Sequence, residues 1–434
     1  MRSLWHARRT LPSFDQLKES KSTDVLIIGG GLCGILCAYM LDRAGVSYIL
    51  AEADTICRGV SGNTTAKITA QHGLIYDSIA ERFGIEAAKK YYLANTQAIG
   101  EYHRLCRELG CEIEKVDSFV YSTDKTDRLL RELQTMRRIG IEAEIKKELP
   151  LPIKVSGAIS MRDQAQFDPI EFAGAISKGL NIYEHTPIRK FDGEKYYFDY
   201  GTIRAKKAIV TTHFPIWNKH GGYYLKLYQH RSYVLALENA QSVDGIYVDE
   251  AKDGLSFRNF EELLLLGGGS HRTGKKGGGW AELEDFCKKH YPHSRIRYRF
   301  ATQDCMSLDS IAYIGRYSES TEGLYVASGF NKWGMSTSMV AAQLLRDMIL
   351  GRKNPYEELY SPSRSIFRAQ LALNAAHSAL GLITPTAPRC THLGCALKWN
   401  SAEHTWDCSC HGSRFDGEGH LLENPALRDL GQKK

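Results

Sequence analysis

The sequence lacks long apolar runs. A membrane-spanning helix needs roughly 20 apolar residues, and the nearest stretch, ALNAAHSALGLI at 372–383, is short and contains Asn374 and His377. The basic N-terminal segment has no apolar run behind it, so it does not resemble a secretory signal. We therefore expect a cytoplasmic protein with no transmembrane segment.

The sequence also lacks a strong excess of charge of either sign. Its 56 Lys and Arg residues exceed its 50 Asp and Glu residues by six. The basic residues are scattered, and pairs such as Lys146-Lys147 and Lys275-Lys276 are typical of solvated surface. We therefore expect no nucleic-acid binding. A chain of 434 residues has room for two or three domains with sizeable cores.

Cysteine is unevenly distributed. Seven of the eleven cysteines are dispersed through the first 305 residues, which favours reduced, mostly buried thiols in a reducing compartment. The other four, together with two histidines, lie in CTHLGC at 390–395 and CSCHGS at 408–413. This concentration indicates a dedicated site near the end of the chain.

The segment DVLIIGGGLCGILCAYMLDRAGVSYILAEA at 24–53 combines an apolar strand, a glycine-rich turn, a helix and a second strand. Gly29, Gly31 and Gly34 have the spacing that permits a tight turn, close approach of a pyrophosphate and close helix packing. The pyrophosphate would lie at the helix N-terminus, where free N–H groups favour anions. Glu52 ends the second strand, where it can accept hydrogen bonds from a ribose. The segment predicts a dinucleotide-binding unit but does not distinguish FAD from NAD.

Two further segments carry a family resemblance. RGVSGNTTAKITAQHGLIY at 58–76 and GLYVASGFNKWGMSTSMVAAQLLRDMILG at 323–351, with the glycine-rich unit, resemble the D-amino-acid-oxidase (glycine oxidase and sarcosine oxidase) superfamily over about 20–351. The resemblance implies FAD, with the first loop along its pyrophosphate and flavin and the last helix pointing its N-terminus at the flavin pyrimidine ring. The further residues implied to bind FAD are Ser61, Thr64, Thr65, Lys67, Gly329, Gly334 and Met335.

The segments between these parts predict a second lobe. YYLANTQAIGEYHRLCRELG at 91–110 has helical periodicity, and RSYVLALE, GIYVDE and ELLLLGGGSH are typical of strands, the last one ending in a turn at Gly267–Gly269. Asp168 and Pro169 predict a helix start, as N-cap and first helical residue. The resemblance implies that these strands form the family's antiparallel substrate sheet.

The two C-terminal boxes supply Cys390 and His392, then Cys408 and His411. Two Cys and two His can hold zinc, but zinc sites usually contribute like residues in pairs, whereas each box here contributes one of each kind. A Rieske 2Fe-2S cluster has two thiolates on one iron and two imidazoles on the other, which fits these four residues. The segment also resembles Rieske proteins of the cytochrome bc type, which implies a disulfide between Cys395 and Cys410.

Two departures from the bc-type pattern have consequences. Phe415 stands where those proteins have Tyr, although Ser413, another hydrogen-bond donor, is retained. Because hydrogen bonds to the sulfurs help to set the potential, we expect a potential in the middle of the Rieske range. The stretch 352–389 also leaves no room for a β-sandwich base, so the cluster-binding lobe must lean on the preceding part of the chain.

The resemblances together imply an α/β (α+β) fold. A Rossmann-type FAD-binding domain is interleaved with the substrate domain, and a small all-β Rieske lobe follows. We expect the FAD-dependent oxidoreductase at 1–351, with FAD-binding parts at about 22–80, 152–215 and 300–351 and substrate-domain parts at about 81–151 and 216–299. A helical linker at 352–386 and the cluster-binding lobe at 387–434 complete the chain.

The combination predicts a dehydrogenase that oxidises a small amine or amino acid. Electrons would pass from FAD to the cluster and on to an external acceptor such as a quinone, a ferredoxin or another carrier. The alternative is an electron-transfer protein with no organic substrate, whereas a Rieske oxygenase is disfavoured because no motif supplies its mononuclear iron site. The candidate catalytic residues are His72, Arg231, His271 and Arg272, residue types that more often have structural or surface roles. Cys305 is a candidate for covalent attachment of the flavin, as in sarcosine oxidase.

Cofactor content tests this interpretation. The purified protein should contain one FAD and two irons per chain, measured by absorbance and metal analysis. Zinc without iron, even after anaerobic reconstitution, would contradict the Rieske assignment.

Overall fold

The computed structural model describes residues 3–217, 220–365, 369–385 and 388–431. The expected boundary between linker and cluster-binding lobe, at 386/387, lies outside the described residues. The helices are α1 (Leu4–Arg8), α2 (Leu32–Arg43), α3 (Ile75–Phe83), α4 (Ile85–Leu109), α5 (Asp127–Arg138), α6 (Pro169–Ile176), α7 (Tyr223–Lys226), α8 (Gly279–His290), α9 (Gly334–Ile349), α10 (Glu357–Tyr360) and α11 (Ala369–Ile383), with a 3₁₀ turn at Val60–Asn63.

The strands belong to three sheets. They are β1 (Lys21–Ile28), β2 (Tyr48–Ala51), β3 (Lys67–Ile68), β4 (Ile113–Ser122), β5 (Ala143–Lys146), β6 (Gly157–Phe167), β7 (Ile182–Tyr183), β8 (Lys190–Asp192), β9 (Lys195–Phe198), β10 (Gly201–Val210), β11 (Leu227–Glu238), β12 (Ile246–Asp249), β13 (Ser256–Phe260), β14 (Leu263–Arg272), β15 (Arg295–Ser307), β16 (Tyr313–Arg316), β17 (Leu324–Ser328), β18 (Leu397–Asn400), β19 (Thr405–Cys408), β20 (Arg414–Phe415) and β21 (Leu421–Glu423).

The first sheet is the predicted dinucleotide-binding sheet. Its strand order is β16-β17-β10-β1-β2-β7, and the pairs from β17 to β7 are parallel. The second half of β1, Val25–Ile28, is fully buried, as expected of a parallel strand covered on both faces. α2 and α9 pack against each other, so the two segments implied to bind the nucleotide lie side by side.

The second sheet has the order β15-β11-β14-β13-β12-β4-β6-β3, with β5 beside β6. Its pairs are antiparallel except for the parallel pair β12–β4. β6 and most of β15, which fall within the expected FAD-binding parts, pair in this sheet. The expected domain limits therefore stay a prediction.

The predicted turn at Gly267–Gly269 is wrong, because β14 runs through these glycines to Arg272. Their role is close packing. A Cβ on Gly269 would lie 2.1 Å from the carbonyl oxygen of Gly279 at the start of α8, and Gly269 has a φ of +58°. The other local predictions agree with the structure. Asp168 caps α6 by accepting from the Ile170 and Glu171 N–H groups. The helix predicted over 91–110 is the later part of α4, which ends at Leu109 with left-handed Gly110 as its C-cap.

The C-terminal part carries a small antiparallel sheet, β18-β19-β20-β21. In the described part of the chain after residue 352, the β structure is this sheet and one isolated bridge, Arg389 with Ala396. The described residues thus contain the expected bare lobe without a sandwich base. Among the helices of the described ranges, none combines the length and apolarity that crossing a bilayer requires.

Replacing Gly269 by alanine tests the packing explanation. The variant should lose more stability than Gly179→Ala, because Gly179 also has a positive φ, of +77°, but nothing lies near its missing Cβ. We expect a loss of about 1–2 kcal/mol in the control, from the backbone conformation alone, and at least about 2 kcal/mol more in Gly269→Ala from the steric overlap. Equal shifts of the thermal unfolding midpoint would contradict the explanation.

Candidate flavin and iron–sulfur sites

The turn between β1 and α2 is built as a nucleotide site requires. Gly29 has a φ of +108°, and a Cβ on it would lie 2.8 Å from the Thr211 carbonyl oxygen. A Cβ on Gly34 would lie 1.9 Å from the Gly29 carbonyl oxygen. A Cβ on Gly31 would lie 3.2 Å from the Ser61 Oγ. The backbone at the N-terminus of α2 is therefore compact enough to receive a pyrophosphate.

Glu52 lies beside this turn at the end of β2. Its carboxylate accepts hydrogen bonds from the Gly30 N–H at 2.5 Å and the Asp54 N–H at 2.9 Å. Burial raises the pKa of Glu52. A buried acceptor at this position fits the ribose-binding role that the sequence predicts.

The loop at 58–76 connects the turn with the second sheet. Ser61 Oγ accepts from the Leu32 N–H at 2.9 Å, and Thr64 Oγ1 accepts from the Ala66 N–H. Lys67 Nζ donates to Thr65 Oγ1 at 3.2 Å and to Ser256 Oγ at 2.9 Å. Burial, with the nearby cations Arg258 and Lys332, lowers the pKa of Lys67 to about 7. The predicted residues thus extend from the α2 N-terminus toward β13.

The turn before α9 is held by an asparagine. Gly329 has a φ of +71°, and Asn331 and Lys332 also have positive φ values. The Asn331 side chain donates to the Gly329 carbonyl and accepts from the Ser307 N–H. Gly334 begins α9, and the Met335 carbonyl accepts from the Tyr102 hydroxyl at 2.7 Å. The N-terminus of α9 therefore has the rigid placement expected of a cofactor contact.

The four predicted cluster ligands come together in the C-terminal lobe. Cys390, Cys408 and His411 are each at most 2 % exposed. The His392 and His411 ring centroids are 4.9 Å apart at 88°. Neither ring nitrogen of His411 has a hydrogen-bond partner among the described residues, and burial lowers the pKa values of His392, to about 3, and of His411. Neutral imidazoles, one buried and one half-buried, beside buried thiols fit a Rieske cluster.

Cys395 and Cys410 lie next to these ligands as free thiols. With Cys408 they form a group whose Sγ atoms all lie within 4.8 Å of one another. Hydrogen bonds among these thiols hold the pKa of Cys408 well below its usual value and raise that of Cys390, so the two predicted thiolate ligands are in direct contact. The pairing of Cys395 with Cys410 as a disulfide stays a prediction.

The expected surroundings of the cluster are present. Ser413 is fully buried beside Cys390, and its hydroxyl oxygen accepts from the Ala426 N–H at 3.0 Å. Phe415 is fully buried in the same cluster of side chains as the lobe's four cysteines. An aromatic ring therefore packs here without the hydroxyl group of the bc-type proteins.

The cluster-binding lobe docks on β11 and β15 of the second sheet. Gln303 Nε2 donates to the Gly412 carbonyl at 2.9 Å, and a Cβ on Gly412 would lie 2.2 Å from the Gln229 Cγ. Arg231 forms ion pairs with Glu403 and Glu423. We call the sheet surface bearing Gln229, Arg231, Tyr233 and Gln303 the docking face.

The opposite surface of the second sheet faces the loop at 58–76 and the turn before α9, the segments that the resemblance implies to bind FAD. Ser232 Oγ donates to Asp304 Oδ2 at 3.1 Å, and Lys332 Nζ, from the turn before α9, donates to Ser270 Oγ at 3.4 Å. Ser256, which receives the Lys67 ammonium, lies on this surface too. We call the surface bearing Ser232, Ser256 and Asp304 the serine face.

Three of the four candidate catalytic residues lie near one another beside the cluster-binding lobe, because Arg231 and His271 are cross-strand partners in β11 and β14 and Arg272 follows His271. His72 lies apart from them. His72 is buried beside α9, with Nε2 3.0 Å from Ser336 Oγ and Nδ1 2.6 Å from the Tyr91 hydroxyl, and burial lowers its pKa to about 3. Arg231 is held by the cluster-binding lobe, and Arg272 donates to the Ser409 carbonyl at 3.4 Å. His271 stacks on Tyr233 at 5.7 Å. His72 alone lies beside the α9 N-terminus, so the catalytic roles stay predictions.

Cys305 pairs with Gln229 across β11 and β15, which puts it on the docking-face side of the sheet. Its Sγ lies 3.5 Å from Ser328 Oγ, and burial raises the pKa of the thiol to about 12. A buried neutral thiol facing away from the serine face gives a covalent flavin link no support.

The sequence patterns do not predict the residues that lie between the two sites: Gln229, Gln303, Asp304 and Lys332. A signal existed in LYQHRSYVL at 227–235, where polar residues stand in an otherwise apolar strand. Such residues in a central strand have partners on both faces of a sheet. The identity of those partners depends on long-range contacts.

Comparisons with known proteins cover both parts of the chain. A family model described as FAD dependent oxidoreductase matches residues 24–348, and the Rieske [2Fe-2S] domain model matches residues 363–433. A Bacillus subtilis (strain 168) protein named as a Rieske 2Fe-2S iron-sulfur protein, YhfW, is 33% identical over 491 residues, covering 99% of this chain and 96% of that protein. The cytochrome b6-f complex iron-sulfur subunit 1 of Nostoc sp. (strain PCC 7120) is 49% identical over 41 residues, 9% of this chain and 23% of the subunit.

Two solved structures share the fold of the larger part. Glycine oxidase from Geobacillus kaustophilus superposes with a TM-score of 0.68 at 18% identity, covering 80% of this chain and 99% of that one. L-proline dehydrogenase from P. horikoshii has a TM-score of 0.66 at 16% identity, covering 80% of this chain and 98% of that one. The fold predicted for this part is therefore confirmed.

Phe415→Tyr tests the hydrogen-bond account of the cluster potential. The added hydroxyl should raise the potential by roughly 40 mV, if its hydrogen bond is worth about 1 kcal/mol and 59 mV is a tenfold change for one electron. Phe14→Tyr serves as a control. Phe14 lies outside the cluster-binding lobe, with its N–H on Glu184, so the added hydroxyl should leave the cluster potential unchanged. An unshifted potential in a Phe415→Tyr protein with full iron content would contradict the account.

Proposed function

The chain belongs to the FAD-dependent oxidoreductase family and carries a Rieske [2Fe-2S] domain, and from this we propose that it is a dehydrogenase of small amines or amino acids. The FAD-binding part and the 2Fe-2S part belong to one chain. Glycine oxidase and L-proline dehydrogenase, by their names, act on amino acids, which supports this substrate class.

The observation that carries the proposal is that both faces of the second sheet are in contact with other parts of the chain. β11 contributes Ser232 to the serine face and Arg231 to the docking face, and neighbouring residues of a strand point to opposite sides. Lys332 approaches the serine face from the α9 turn, whereas Gly412 abuts the docking face. The second sheet thus has the turn before α9 on one face and the cluster-binding lobe on the other, and the lobe also contacts the chain after β10 through Asn424. This arrangement supports electron transfer between the two proposed sites.

When bound, FAD would accept two electrons together and the cluster one at a time, so the pair suits the transfer of electrons from an organic substrate to a one-electron acceptor outside the chain. The role of the protein is to hold FAD and the cluster near each other and to exclude water from them. Gln229 and Gln303 contact the loop of His411, and Phe214 lies 6.4 Å and 6.2 Å from the rings of His392 and His411.

The serine face can bind a small polar substrate. Asp304 is buried, and burial raises its pKa, while Lys332 has its pKa lowered by burial. Asp304 and Lys332 already favour each other's ionised form, and a substrate group of opposite charge would add to this stabilisation for each of them. An amino acid carries both charges, so we propose that Asp304 faces its ammonium group and Lys332 its carboxylate.

The second candidate function is an electron-transfer protein with no organic substrate. The shared architecture of two redox sites is equally suitable for passing electrons from a carrier to a partner. The polar serine face favours the dehydrogenase, because an electron carrier does not need buried charged groups beside the flavin.

Anaerobic titration separates the two functions. A panel of amines and amino acids, added to the protein under anaerobic conditions, should include one that bleaches the flavin and produces the electron paramagnetic resonance signal of a reduced Rieske cluster. Cys408→Ser should keep the bleaching, because FAD binds in the other part of the chain, but lose at least about 100-fold in reduction of a one-electron acceptor. Bleaching by a reduced carrier protein and by no amine would favour the electron-transfer protein.

A further inference from the structure

The helix α11 exposes its apolar side and turns its polar side toward the protein, the reverse of a usual surface helix. A surface helix normally buries its apolar face. In α11 the outward half consists of alanine, leucine and isoleucine, whereas Asn374, His377 and Ser378 lie on the half that faces the protein. The exposed fractions of Leu373, Leu380 and Ile383 are 54%, 56% and 74%.

The inward orientation is fixed by specific contacts. Asn374 Nδ2 donates to the Leu225 carbonyl at 3.0 Å, and Asn374 Oδ1 accepts from Arg272 Nη1 at 3.1 Å. At the other end, a Cβ on Gly381 would lie 2.4 Å from the Cys410 Sγ. Any rotation of the helix would break the buried hydrogen bonds and push a side chain into the cysteine. The apolar face therefore remains outward.

The apolar surface extends onto the first cluster box. The guanidinium of Arg389 donates to the carbonyls of Leu382 and Gly394, which places Leu393, 40% exposed, beside Leu382, 50% exposed. At about 1.45 Å² of accessible surface per dalton of chain, the five large residues expose roughly 450 Å², and the exposed alanines bring the total to about 600 Å². A soluble monomer's largest apolar patch is rarely greater than about 600 Å².

The area and the composition indicate which partner fits. Two copies of this patch can bury at most about 1,200 Å², and a specific interface needs roughly 1,000 Å². α11 contains no Asp, Glu, Lys or Arg. The like charge near the contact is that of Arg389 from each copy, whose guanidinium is held by the carbonyls of Leu382 and Gly394. Interfaces between identical subunits are also the most apolar class.

Other partners fit less well. Helices that lie on a membrane surface carry Lys and Arg on one side and Trp or Phe on the other, and α11 has none of these four residue types. Electron-transfer partners meet through small, electrostatically steered interfaces, which this uncharged helix does not offer. A second copy is thus the best occupant.

We propose that the protein forms a homodimer in which α11 and Leu393 of each copy pack against the same surface of the other. The symmetry is two-fold, because one patch serves both sides. The interface lies over the helix that covers Cys395 and Cys410, so dimer formation adds a further layer over the cluster boxes. This inference does not depend on the substrate proposed above.

Sedimentation of the full-length protein with both cofactors tests the proposal. The wild-type protein should sediment with twice the chain mass of 48.8 kDa. Leu380→Glu places a charge in each half of the interface and should raise the dimer dissociation constant at least about 100-fold. The matched control is Leu130→Glu on α5, at a leucine 45% exposed, which should remain dimeric.

Cross-linking provides a second measurement that does not disturb the interface. Ala376→Cys, at the centre of α11, should form a disulfide-linked dimer on mild oxidation, whereas Tyr200→Cys, at an exposed position elsewhere, should not. A monomeric wild-type protein, or a Leu380→Glu protein that keeps its cofactors and stays dimeric, would overturn the proposal. Co-sedimentation of monomers with phosphatidylcholine–phosphatidylglycerol vesicles would instead assign the surface to a membrane and would also overturn it.

Discussion

Two buried arginines hold the two parts of the molecule together. Arg231 on the docking face and Arg414 in the cluster-binding lobe share the carboxylates of Glu403 and Glu423, and Arg414 also pairs with Asp407 at 3.0 Å. The side chains of both arginines are at most 4 % exposed. Such networks add little net stability, but loss of one partner typically costs about 3–5 kcal/mol. The network therefore fixes where the lobe docks.

The charges of this network also set the pH range in which the cluster-binding lobe stays docked. Burial alone would raise the pKa of Glu403, but Arg231 and Arg414 lower it to about 2. An unfolded glutamate has a pKa of about 4.3, so the docking contribution is complete above that value and is lost as the pH falls toward 2. The lobe thus stays docked throughout the neutral range, where Gly412 is kept against Gln229 and the serine face remains on the other side of the sheet.

Local patterns made much of this structure predictable. The tight turn between β1 and α2 and the cap at Asp168 depend on residues that are near in sequence, and both are found as predicted. The two cluster boxes lie together, and their role as ligands stays a prediction. The placement of Gly267–Gly269 inside β14 was not predictable, because the reason lies in the close approach of Gly279. The docking of Arg231 on Glu403 and the outward apolar face of α11 are also long-range effects, for which a single sequence contains no partner information.

Release of iron to a chelator tests most directly whether the docked flavoprotein part protects the cluster. Arg231→Leu leaves Glu403 and Glu423 without their partner on the docking face and should loosen the lobe. The account predicts that the variant keeps its FAD but releases iron at least about 10-fold faster than the wild-type protein at neutral pH. Equal rates of iron release from the two proteins would contradict it.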